Sequence, residues 1–323
     1  MTRHTDVAFE SSMQVRAKSP SNAQGLRRLG QHLLLAVGAA FFQAYSSPGT
    51  ACWWTFVVMR GVIVTFLFCP LHECLHYTAF RSRKLNNVVA FCAGLCLCLP
   101  PAYFRLFHFH HHKHTNDPLR DPEIRGSFCD GVQYQKNVKR CSWQQLLVTW
   151  SGFNYWIERF SSTLEYALCS SAAVRSCDTD FVKTQKHRQA TVTEARLFIG
   201  VYACCLFGSV VWPQSFGSGL LFGWILPLVC GQPFLRLYLH FEHAKCDLKT
   251  RTSPSSYGSH ACITCERIDD ARKYSNTFAK HLPKLVVWLS WNMPYHAEHH
   301  AFPAVPFWQL PDLAHEQQVD MHS

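Results

Sequence analysis

Of the 19 histidines in this 323-residue chain, nine stand in positions that suggest one chemistry. His72 and His76 lie at i, i+4 in H-E-C-L-H. His108, His111 and His112 form one H-x-x-H-H, and His296, His299 and His300 form a second. On a helix these spacings put the rings of each cluster on one side. His243, in H-F-E-H, is a ninth candidate, with His240 three residues earlier as the alternative. Imidazole binds iron as well as zinc. Structural zinc takes four ligands and catalytic zinc three plus water, so eight or nine imidazoles call for two ions. Ligand type does not separate the two metals, and H-E-C-L-H alone has the i, i+4 geometry of a zinc protease helix. His110 and His114 fall off the pattern and are expected at solvent, at lipid headgroups or behind the ligands. Glu73 and Glu298 sit between ligands, where a carboxylate solubilises the turn or holds a ring nitrogen from behind.

The elements that must position these side chains are apolar. Four blocks stand out, at 33–45, 51–71, 195–212 and 220–239, in a chain with only 16% charged residues. A helix crossing a bilayer needs about 20 mostly apolar residues. The expected fold is therefore an all-α integral membrane protein, with four transmembrane helices near 31–50, 51–71, 195–213 and 219–239 and a cytosolic-face helical cap carrying the histidine clusters. The short connections 46–50 and 213–219 contain no lysine or arginine, whereas the other flanks are basic. The positive-inside rule then places both termini and all the clusters on one cytoplasm-like face. An even number of crossings must separate clusters that share a site. The third and fourth blocks supply two, provided the apolar run at 88–99, which ends at Pro100-Pro101, does not cross.

Arg60, near the middle of the second block, is costly in lipid unless it faces a polar interior, snorkels, or the span is shifted. The net charge of +10 borders these apolar runs with no nucleic-acid recognition module beside it, so membrane lipids with anionic headgroups are the expected partner and nucleic acid is not. Sixteen cysteines, many within apolar runs, read as small buried hydrophobes, and Cys262-x-x-Cys265 has no partner pair. Residues 1–30 read as a polar basic tail or an organelle-targeting segment, 31–310 as the membrane domain, and 311–323 as a C-terminal tail.

HECLHYTAF from His72, Pro100-Pro101, FRLFHFHHHKHTNDPLRDPE and WNMPYHAEHHAFPAVPF resemble, in order and with membrane blocks in the right intervals, the three histidine boxes of membrane fatty acid desaturases. The resemblance covers about residues 55–310. It implies two iron ions held by His72, His76, His108, His111, His112, His296, His299 and His300, with His243 as the additional ligand after the last span. Asn116, Asp117, Asp121 and Asn292 match motif positions expected to support the site or the fold; Lys113-His114 departs from the basic-then-aromatic pair common in similar proteins.

The implied reaction is oxygen-dependent desaturation of a fatty acyl chain in a lipid or acyl carrier, with O2 as co-substrate. Electrons must come from an external donor, because the chain has no G-x-G-x-x-G fingerprint; cytochrome b5 or ferredoxin with its reductase is the donor implied by resemblance. Tyr103, Phe104, Phe107, Phe109, Trp288, Trp291 and Tyr295 are candidates either to line an acyl slot or to form an interfacial belt. A hydroxylase or ketolase of a lipid or carotenoid would use the same site, and a membrane zinc hydrolase or metal transporter is the remote alternative. An endoplasmic reticulum, plastid or bacterial inner membrane is equally compatible with the sequence.

Overall fold

The structure is a computed structural model that describes residues 18–125, 147, 150–169, 178–249 and 263–320. Cys262 lies outside the described residues, as does the first part of the stretch read as an N-terminal tail.

The described residues are mostly helical. Helix α1 (Asn22–Tyr45) is capped by Ser21, and α2 (Ala51–Thr65) by Thr50, whose hydroxyl accepts from Trp53 N. The turn between them makes an antiparallel pair. Helix α2 continues through a short break into α3 (Phe68–Leu75), and the two form one apolar span, Ala51–Leu75. Helix α4 (Arg83–Leu97) ends at Cys98, whose φ is 54°, and Leu99 N donates to Gly94 O to close the turn. Pro100 and Pro101 then start α5 (Pro101–His114), which leaves α4 at 97°.

Helix α6 (Phe153–Leu168) is amphipathic: Phe153, Ile157, Phe160, Leu164 and Leu168 are exposed along one side, while Tyr155, Arg159, Ser162, Thr163 and Tyr166 are buried on the other. Helix α7 (Gln185–Val211) leads through two π-helical turns into α8 (Leu226–His243). Four further helices follow: α9 (Ile263–Tyr274), α10 (Lys284–Leu289), α11 (His296–Ala301) and α12 (Leu310–Asp320).

Among the described residues, three helices are long and apolar enough to cross a membrane, Ala51–Leu75, Gln185–Val211 and Pro213–His243, and the bent pair α4–α5 would make a fourth if counted as a span. Outward-facing Leu206, Phe207 and Val210 on α7 and Leu34, Val37 and Phe41 on α1 leave apolar faces that suit hydrocarbon. These are the helices of an integral membrane protein. The first expected span differs. Helix α1 has the length, but Gln31, His32 and Gln43 dilute its apolar run, and it does not meet the same standard.

Residues 22–30 are not a tail. Asn22 Oδ1 accepts from Ser82 N, Gly25 packs against Ala79 and Phe80, and Arg28 donates to Trp288 O at 2.6 Å while lying over the Trp288 and Phe307 rings. Their polarity reads as a loose terminus because sequence does not show the carbonyl and aromatic partners. In the stretch read as a C-terminal tail, residues 311–320 are helical and Ala314 is buried.

Three features shape the interior of the bundle. Helices α2 and α8 cross at Gly61 and Gly231, backbone against backbone, where Thr65 Oγ1 also reaches Gly231 O. Arg60 turns inward, with Nη1 donating to Gln43 Oε1 at 3.3 Å, which answers the question its position raises. Gln232 and Arg236 of α8 are buried, the latter with its guanidinium 3.7 Å from the Tyr155 ring centre. Cys52, Cys69, Cys92, Cys96, Cys98, Cys204, Cys205 and Cys230 are all free thiols.

Candidate metal centre

The nine histidines meet at one end of the bundle in two nests. His72, His76, His108, His112 and His299 form one, and His111, His243, His296 and His300 form the other; within each nest the ligand atoms lie within 4.8 Å of one another. His240 enters neither nest, its ring lying beside Phe241. His110 and His114 face each other instead, ring centres 4.5 Å apart.

Helical geometry accounts for the sharing. A residue at i+4 is rotated about 40° from i, and one at i+3 about 60° the other way. In the second cluster His108 and His112 therefore enter the five-histidine nest while His111 reaches the other. In the third, His296 and His300 enter the four-histidine nest and His299 crosses back. Each H-x-x-H-H thus straddles both nests, and the stacked rings of His112 and His300, 4.2 Å apart, form the seam.

The same contacts constrain topology. His76 and His108 bring their Nε2 atoms to 2.9 Å, so the segment 77–107 leaves and returns to one place. The 97° bend between α4 and α5 lies within that segment. Helices α7 and α8 likewise return the chain from the region of His112 to His243 in the adjoining nest.

The donor arrangement fits metal ions. His108 Nε2 lies 2.9 Å from Nε2 of both His76 and His112, and His299 Nε2 lies 3.2 Å from His112 Nε2. In the other nest His296 Nε2 is 3.1 Å from those of His243 and His300. A neutral imidazole has one N–H and one lone pair, so such a set cannot satisfy every nitrogen with N–H···N bonds. Nε2 of His72 and of His111 is buried with no hydrogen-bond partner. Burial, followed by neighbouring imidazoles, holds His296 and His300 well below the ordinary imidazole range, and burial followed by His72 brings His299 down to about 3. These rings are neutral and offer lone pairs, the form a metal needs.

Outer groups fix the rings. Asp121, fully buried, accepts from His111 Nδ1 at 2.9 and 3.0 Å through its two oxygens and also from Asn116 N and Glu123 N. His111 Nε2 is left to face the nest. His243 Nδ1 donates to Tyr274 O at 2.7 Å, and Thr115 Oγ1 meets His300 Nδ1 at 3.2 Å. Asn116 adopts a left-handed conformation, φ 56°, which asparagine tolerates well, and its amide ties α5 to Asp247 O and Tyr274 O. Asn292, φ 60°, does the same before the third cluster by donating to Phe307 O.

The other expected helpers have different roles. Glu298 turns to Arg272 and Thr277, at 3.0 and 2.6 Å, and pins α11 to α9. Glu73 accepts from Thr78 Oγ1 at 2.6 Å and stands 3.6 Å from His72 Nδ1. Asp117 shapes the turn, accepting from Leu119 N and pairing with Arg120 at 3.9 Å. Among the aromatic residues, Tyr103, Phe104, Phe107 and Trp291 are close-packed core, whereas Phe109 is exposed beside His76, 5.1 Å between ring centres.

Sequence reasoning missed Thr115, Tyr274 and Glu123. Glu123 Oε2 lies 3.5 Å from His111 Nδ1, behind the ring.

An all-helical membrane protein with nine imidazoles in two adjoining nests is built to hold a pair of metal ions at the end of an apolar bundle. The chain belongs to the fatty acid desaturase family, whose profile matches residues 48–323. It is 32% identical over 90 residues to a Delta(12) fatty acid desaturase of Mortierella isabellina, which is 27% of this chain and 22% of the relative. It is 33% identical over 92 residues to an sn-1 oleoyl-lipid 12-desaturase of Picosynechococcus sp., covering 28% of this chain and 26% of the relative. A fatty acid desaturase of Bacillus subtilis is 25% identical over 264 residues, 80% of this chain and 66% of that protein. The aligned stretches thus span about a quarter or less of the first two relatives.

Proposed function

We propose that this protein is an oxygen-dependent desaturase of fatty acyl chains in a membrane lipid or acyl carrier, using two iron ions held by the nine histidines. The observation that carries this reading is the division of the three clusters and His243 into nests of five and four in a chain of this family. Bound iron, with O2 and electrons from outside, supplies the oxidant that removes hydrogen from an unactivated methylene pair.

The chain's own residues do the rest. Asp121, the Tyr274 carbonyl and Thr115 fix the orientation of His111, His243 and His300, and so the spacing of the two nests. Buried rings exclude water from the nests, while half-buried His76 and exposed Phe109 mark the side from which an acyl chain approaches. The basic flanks suit anionic headgroups on a cytosolic face, and cytochrome b5 or ferredoxin with its reductase is the electron donor we expect. A helical cap on that face would carry both nests.

Lipid profiling of cells that express the wild type, His111→Ala or His299→Ala tests this reading. Each substitution removes one ligand, from different nests. The wild type should add a double bond that neither variant adds. A variant that still desaturates would contradict the assignment, and products gaining oxygen would favour a hydroxylase.

A further inference from the structure

We propose that Tyr77, Arg83 and Arg105 form an anion site beside the metal centre that holds the phosphate of the acyl substrate's carrier. The proposal rests on the reading of the protein as an acyl desaturase, with half-buried His76 and exposed Phe109 on the side of approach.

Tyr77 directly follows His76, and its backbone is left-handed, φ 60°. A glycine would take such a turn without strain, so the phenol is kept there at a conformational cost. Two cations converge on its ring: Arg105 Cζ lies 4.3 Å and Arg83 Cζ 5.3 Å from the ring centre. The two charges therefore stand within about one Debye length, roughly 10 Å, of each other, where they repel. Arg105 donates to Tyr77 Oη, Cys74 O and Asn87 Oδ1, all neutral acceptors, and its buried Nε has no hydrogen-bond partner. Arg83 is exposed at the first position of α4, and among the described residues its side chain makes no hydrogen bond and no ion pair.

No carboxylate offsets this pair. The sequence from Cys74 to Asn116 contains neither aspartate nor glutamate. Glu194, which interacts electrostatically with Arg105, accepts from Ala102 N, and Glu73 is held by Thr78. Arg81 and Lys84, on either side of Arg83 in the chain, are exposed and add to the positive charge.

A phosphate relieves the repulsion and uses the donors that remain. Guanidinium forks match phosphate oxygens in pairs. The Tyr77 phenol accepts from Arg105 and keeps its own hydrogen to donate, and the N-terminus of α4 adds the positive end of its dipole. The placement suits a headgroup. Phe109 lies one turn beyond Arg105 on α5, its ring centre 5.1 Å from that of His76, so a phosphate held here leaves the attached acyl chain to enter past Phe109.

The test measures equilibrium binding to the full iron-loaded chain in neutral detergent, without reductant so that nothing turns over. The probes are dioleoyl phosphatidic acid, oleoyl-coenzyme A and, as the phosphate-free control, dioleoylglycerol. Arg83→Gln should weaken binding of a phosphate probe about tenfold, the worth of one hydrogen bond to a charged group, and leave dioleoylglycerol unchanged. Arg105→Gln should do the same, and Arg105→Lys should lose less. A loss with phosphatidic acid assigns a membrane lipid and a loss with oleoyl-coenzyme A a soluble carrier, and either supports the anchor. Wild-type affinity for both phosphate probes in Arg83→Gln would overturn it, as would an equal loss in Lys186→Gln, which alters an exposed lysine of α7 that does not touch the Tyr77 ring. The Arg83 side chain bonds to nothing in the fold, so this variant reports even if Arg105→Gln does not fold. Protein that binds phosphate through these arginines yet leaves the acyl chain saturated when reduced under O2 would defeat the functional reading and leave the anion site standing.

Discussion

Asp121→Asn isolates the outer support of one ligand without changing its size. In the native site each carboxylate oxygen serves two donors: Oδ1 accepts from His111 Nδ1 and Glu123 N, both at 2.9 Å, and Oδ2 from His111 Nδ1 at 3.0 Å and Asn116 N at 2.8 Å. An amide keeps one oxygen and replaces the other by NH2, so a backbone N–H must face a donor. His111 also loses the anion that holds its Nδ1 proton and directs Nε2 into the nest. Losing such an outer partner weakens metal affinity by about 10–100-fold, or about 1.4–2.7 kcal/mol. A further 1.5–3 kcal/mol, roughly, is expected against fold stability for a hydrogen bond to a charged group. Competition with a graded series of chelators reads the first quantity and thermal unfolding of the metal-free protein in detergent the second. The expected result is selective loss of the more weakly held ion. Chelator resistance equal to wild type would refute the idea that Asp121 orients His111.

Gly61→Ala places a Cβ on the Pro227 carbonyl and 2.9 Å from Gly231 N, so α2 and α8 must separate. With backbone on both sides we expect the upper end of the overpacking range, about 3 kcal/mol, together with loss of iron, and a wild-type melting midpoint would contradict it. His299 is held down to about 3 from 6.5, so the unfolded chain binds its proton more readily than the folded one. The contribution of His299 to the stability of the metal-free protein should be full above pH 6.5 and be lost as pH falls toward 3. A flat urea midpoint between pH 7 and 4 would count against this. Arg28→Ala removes a 2.6 Å bond to Trp288 O and the packing over Trp288 and Phe307, so the third-cluster segment should become more susceptible to proteolysis while Arg28→Lys retains part of the protection. Equal cleavage of wild type and both variants would show that α1 does not brace that segment.

Local periodicity was enough to pick out the histidines that meet in the two nests, because i, i+3 and i+4 spacing is a property of one helical turn. It also located the apolar spans around α2, α7 and α8. The division into nests was not legible, since it depends on where α5 and α11 sit relative to each other, a long-range fact. His243 could be preferred to His240 but not separated from it until α8 was placed against α11. Helix α1 was read too short because the contacts of Arg28 and His32 lie far along the chain: His32 bonds to Ile63 O and accepts from Trp291 Nε1. Residues 150–168 gave no recognised signal, although the outward stripe from Trp150 to Leu168 has helical spacing, because aromatic and polar residues alternate around it.

The central claim is most directly tested by one reaction. The purified, iron-loaded protein is reconstituted with lipid carrying a deuterated acyl chain, reduced, and exposed to 18O2. The product should lose two deuteriums from adjacent carbons and contain no 18O, and iron-free protein should give none. Retention of the deuteriums, or 18O in the lipid, would contradict desaturation at this site.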